Sequence, residues 1–110
     1  MHELDDLQKG LYVWARQNAL VPEDVQLAIY GQFMGVVEEV GELAHVLLKR
    51  SQGIRLDETT HAAERDAVGD IIIFLMNYCS VRDWQLSEIL AEVSTNVLAR
   101  DWRKNANNNP

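Results

Sequence analysis

Glu38, Glu39, Glu42 and His45 interrupt a stretch from Phe33 to Leu48 that is otherwise almost wholly apolar. At about 100° per residue the four fall within an arc of roughly 120° on one helix face. The other faces carry Phe33, Val36, Val37, Val40, Leu43, Val46 and Leu47. Carboxylates set beside apolar neighbours stay charged only where something compensates them. A metal ion is the usual compensation, so this helix reads as one wall of a cation site.

A second stretch repeats the pattern. From Ala67 to Tyr78 the strongly polar side chains are Asp70 and Asn77, set among Val68, Ile71, Ile72, Ile73, Phe74, Leu75 and Met76. Asp66, Asp70 and Asn77 share a sector of about 40° around a helix. Two such helices packed antiparallel would face each other with acidic stripes, which repel unless divalent cations lie between them. Carboxylates without cysteine and with little histidine suit Mg²⁺, with Mn²⁺ as the alternative. Magnesium keeps part of its water and binds phosphate oxygens, which points to a nucleoside polyphosphate or a similar ligand.

Four helical patterns have to position these groups. Leu4, Leu7, Leu11 and Trp14 mark a first amphipathic helix that fades near Asn18. Pro22-Glu23-Asp24 reads as the first turn of a second helix, which runs to about Arg50 and ends near Gly53. Residues Ser51 to Thr60 read as a flexible polar loop. A third helix follows from Glu58 or His61 to about Ser80, and a turn at Val81 to Asp83 leads to a fourth. In that last helix Leu86, Ile89, Leu90, Val93 and Val97 are expected to face inward. No period-two alternation appears, so the expected fold is all-α, a compact bundle of four main helices in one domain over residues 1–104. The asparagine-rich tail, Asn105 to Pro110, is expected to be disordered. The middle helices are apolar over more than one stripe, which predicts association through apolar faces as a homodimer or homotetramer.

The chain has 110 residues, enough for one core, and its 47% hydrophobic content argues against disorder. Seventeen acidic residues against ten basic leave a net charge of -7, which disfavours a nucleic-acid-coating surface. The single Cys79 can make no internal disulfide, and the first residues show no signal pattern, so a cytoplasmic protein is expected. The longest apolar run, Ile71 to Met76, is far below the roughly 20 residues a membrane span needs.

These residues resemble the MazG-like all-α nucleotide pyrophosphohydrolases, whose signature is EExxE on one helix and ExxD on the next. The chain has Glu38-Glu39-Val40-Gly41-Glu42 followed by Leu43-Ala44, then Asp66-Ala67-Val68-Gly69-Asp70 followed by Ile71-Ile72-Ile73-Phe74-Leu75. Lys49-Arg50, Gln52-Gly53-Ile54-Arg55 and Arg100-Asp101-Trp102-Arg103-Lys104-Asn105 extend the likeness over roughly Gln26 to Asn105. One position departs: the family's glutamate three before the aspartate is Ala67, and Asp66 stands four before it on the same face.

The resemblance implies hydrolysis of a nucleoside triphosphate between its α and β phosphates, giving the monophosphate and pyrophosphate. Glu39, Glu42, Asp66 and Asp70 would then hold Mg²⁺, with Glu38 orienting or deprotonating the attacking water. Lys49, Asn77, Asn96, Arg100 and Arg103 would bind substrate. From the residues alone, Glu38 and Asp66 also read as satisfied helix acids, Asn77 as a paired core amide, and the three cations as surface charges.

Rival functions are a di-iron carboxylate bundle and a module without catalysis. Glu42 with His45, and Glu58 with His61, have the Glu-x-x-His spacing of the first, but the second pair falls by the polar loop. A module that merely oligomerises would place apolar residues at 39, 42 and 70, whereas a nucleotide binder without turnover would keep the acids.

Overall fold

An aspartate sets where the longest helix begins. The Asp24 side chain accepts a 3.0 Å hydrogen bond from the Leu27 N–H, and its own backbone is extended. Asp24 therefore caps the helix from outside, and Pro22 and Glu23 precede the helix rather than forming its first turn. The far end is set by Gly53, whose φ of 71° lets its N–H and that of Ile54 return to the last carbonyls.

The computed structural model describes residues 2–101 and 103. Its elements are α1 (His2–Gln17), α2 (Val25–Gln52), α3 (His61–Val81) and α4 (Leu86–Leu98), and no strand occurs among the described residues. The all-α class and the four main helices are as expected. The tail expected to be disordered, 105–110, lies outside the described residues.

The α2–α3 pair is the main packing surface, with α1 laid against α3 and α4 packed chiefly on α1. Buried residues are small or medium in size: Ala15, Val21 and Ala28 form one cluster beside Tyr12 and Val81. Gln8 ties the α3–α4 turn to α1. Its Nε2 donates to Ser80 Oγ at 3.0 Å and to the Trp84 carbonyl at 2.9 Å, and its Oε1 accepts from the Leu86 N–H at 2.9 Å.

Two expectations need correction. Leu90, Val93 and Val97 do not face inward: all three are exposed, because α4 leans on α1 by its first turns and leaves its remaining length uncovered. The segment after α2 is not bare loop either. It holds a 3-10 turn, Leu56–Glu58, and a buried Thr59 whose carbonyl accepts a 3.0 Å bond from Arg50 Nε.

Candidate functional site

Thr60 starts α3 by accepting the Ala63 N–H at 3.1 Å, and the chain then runs back along α2. The pairing can be followed in steps. A Cβ built on Gly35 would run into the Phe74 ring, so the absence of a side chain lets the two helices close there. One turn along α2, and one turn back along α3, the Asp70 charge acts on Glu39. Further on, Val46 and Ala63 enclose the same cleft.

That cleft has a volume of about 270 Å³ and is bordered by Glu39, Glu42, Asp66 and Asp70. All four residues expected as metal ligands thus lie on one concavity, two from each helix. Ala67 is buried and lines the same cleft. Among the described residues no three His, Cys, Asp or Glu side chains draw together into a metal-holding group. The carboxylates ring the cleft without meeting at a point. As a donor set, several carboxylates suit a hard cation that retains waters between itself and the protein.

The electrostatics register the crowding. Glu39 is pulled above the ordinary carboxylate value, first by partial burial and then by the charges of Asp70, Glu38 and Glu42. A divalent cation in the cleft would reverse that sign.

Two residues outside the expected ligand set also border it: His45, from the acidic face of α2, and Glu58, which the sequence places by the polar loop. His45 Nε2 lies 3.3 Å from Glu58 Oε1, and both line the cleft. Glu58 arrives there because Arg50 holds the returning chain: it pairs with Glu64 at 2.8 Å and donates to the carbonyls of Thr59 and Thr60. His61, the other half of the second Glu-x-x-His spacing, is exposed and does not line the cleft.

Other expected site residues are not gathered there. Glu38 is exposed and off the cleft, touching the chemistry through its charge on Glu39. Lys49 donates to Gln52 Oε1 at 3.3 Å rather than lining the acids. Asn96 is exposed on α4, and Arg100 and Arg103 lie beyond the end of that helix. None of them borders the cleft. Asn77 is buried and belongs to a second cavity.

No protein-family model, curated protein or solved structure matches the chain. Among the described residues no helix is long and apolar enough to cross a membrane.

Proposed function

We propose that this chain is a Mg²⁺-dependent nucleoside triphosphate pyrophosphohydrolase of the MazG-like kind, cleaving between the α and β phosphates. The observation that carries the reading is the cleft where Glu39 and Glu42 of α2 meet Asp66 and Asp70 of α3. Raw repulsion of this kind is a cost unless a cation is bound. Glu39, Glu42 and Asp70 would hold the ion, with Asp66 as a further ligand in place of the glutamate that Ala67 lacks. The ion supplies charge neutralisation at the phosphates and a more acidic bound water.

With Glu38 off the cleft, the His45–Glu58 pair is the group on it that is placed to take a proton from the attacking water. The uncovered apolar residues of α2 and α4, among them Phe33, Val37, Val40, Val93 and Val97, favour association of copies. A reading as a nucleotide binder without turnover also has an observation behind it, since Ala67 lines the cleft where a ligand would be.

Pyrophosphate release from a panel of standard and modified triphosphates, with and without Mg²⁺, separates the two. Metal-dependent release is expected, and binding without release would favour the second. His45→Asn should slow turnover by about 10²-fold or more with KM little changed.

A further inference from the structure

Between the end of α2 and the start of α3 the chain has little apolar material to hold it. Ile54 and Leu56, the aliphatic side chains of that return, are 47% and 70% exposed. Thr59 is the one buried residue of 54–60. The 3-10 turn closes on itself: the Glu58 N–H donates to the Arg55 carbonyl at 2.9 Å and Thr59 Oγ1 to the Leu56 carbonyl at 3.4 Å. Those bonds shape the turn without attaching it to a helix. Glu58 nevertheless stands at the cleft, its Oε1 3.3 Å from His45 Nε2.

Among the described residues the polar attachment comes from Arg50. Its Nε donates to the Thr59 carbonyl at 3.0 Å, Nη2 donates to the Thr60 carbonyl at 3.4 Å, and Nη1 pairs with Glu64 Oε1 at 2.8 Å. The guanidinium thus grips successive parts of the return: the end of the turn, the residue that caps α3, and the first turn of α3. A planar fork of donors fixes the spacing of what it holds, which a point charge on a flexible stem does not. Arg50 does not itself border the cleft, so it reaches the chemistry only through Glu58, the neighbour of Thr59. The side chains of its ion pair are 33% and 35% exposed. Pairs so accessible to water add little stability. The clamp therefore matters more for where Glu58 stands than for whether the chain folds.

We propose that Arg50 is a positioning residue of the acid cleft, holding Glu58 against His45 so that the imidazole is oriented to accept the proton of the attacking water. The assignment rests on the hydrolase reading above. A carboxylate can only accept, so His45 donates Nε2–H to Glu58 and keeps its lone pair on Nδ1, where that proton goes. Without the clamp Glu58 is free to leave Nε2, and neither the tautomer nor the ring orientation is fixed.

Mg²⁺-dependent pyrophosphate release is measured for the parent, Arg50→Gln, Glu58→Ala and the double variant. The His45 ring nitrogens are followed by NMR in the same proteins without substrate or metal, with His45→Asn identifying the signals. Arg50→Gln is expected to lower kcat by at least about tenfold while KM hardly moves, within the roughly 10²-fold that a small displacement of a reacting group can cost. Because Arg50 acts through Glu58, the double variant should match Glu58→Ala within about twofold, the precision of such a cycle. The His45 signals of Arg50→Gln should move to where Glu58→Ala places them. Arg50→Lys keeps a positive charge beside Glu64 but loses the fork, so it should not restore kcat. Should Arg50→Gln fail to fold, Arg50→Lys carries the same measurements.

Losses that multiply in the double variant, a raised KM with kcat kept, full activity in Arg50→Lys, or His45 signals unchanged from the parent would overturn the assignment. No pyrophosphate release from the parent would remove the hydrolase reading, and the His45 signals alone would then decide whether Arg50 holds Glu58. Release with unmoved His45 signals would do the reverse, keeping the hydrolase and removing the clamp.

Discussion

Along the α2–α3 seam, one end is frustrated by charge and the other by unpaired amides, and Gly35 with Phe74 lies between them. At the first end burial and the Asp70 charge hold the Glu39 carboxyl above its ordinary value, and the cleft is lined by acids. At the second Gln32 and Asn77 sit in an apolar cavity with their oxygens unpartnered. Charge calls for a cation, whereas an orphaned amide calls for a neutral hydrogen-bond partner, so the two ends of one helix pair carry different unmet demands.

Breaking the acidic end should have the largest effect. Glu42→Gln or Asp70→Asn is expected to lower Mg²⁺-dependent pyrophosphate release by about 10²-fold or more, the scale of losing one preorganised charge contact. Circular dichroism should show the helices intact, since the side-chain caps that start α2 and α3 are made by Asp24 and Thr60. Unchanged turnover in both would exclude the cleft.

The junction between the two ends answers to packing instead. Gly35→Ala places a methyl group against the Phe74 ring, which must swing away or push the helices apart. Overpacking of this sort typically costs about 1–3 kcal/mol. Urea denaturation should show that loss. Mg²⁺ should still protect the acidic end in the same variant.

The acidic end was legible in the sequence and the amide end was not, and the reason is one of range. Glu39, Glu42, Asp66 and Asp70 announce themselves by helical spacing within a single element, and two such stripes on neighbouring helices have few other ways to pack. Asn77 was visible by the same periodicity, but Gln32 gains its meaning only from the α1 and α3 side chains around it. Glu58 likewise depends on Arg50 holding the chain that follows Gly53, a contact that no local spacing records. In α4 the apolar stripe was read correctly as a stripe, yet Leu90, Val93 and Val97 are uncovered. Periodicity tells which face is apolar, and only tertiary contact tells what lies on it. The start of α2 was misplaced by three residues because Pro22 and Glu23 resemble a first turn, until the Asp24 cap is seen.

The smallest expected effect concerns stability at the acidic end without metal. The folded chain holds the Glu39 carboxyl above its ordinary value, so the unfolded chain gives up that proton first as pH rises. Above the ordinary carboxylate value the folded state therefore binds more protons than the unfolded one, and stability falls with rising pH through the window up to the raised value. Beyond that window the loss is complete and constant. Glu39→Gln removes the ionisation and its repulsion with Asp70. In chelator at neutral pH the variant should melt higher than the parent by less than about 4 °C, the shift that 1 kcal/mol brings in a chain of this size. Mg²⁺ should raise the parent's melting temperature and narrow or reverse the gap, because a cation that binds the folded state stabilises it in proportion to its affinity. A variant that melts lower than the parent in chelator would mean that Glu39 is held by attraction, and the seam's acidic end would then need no cation.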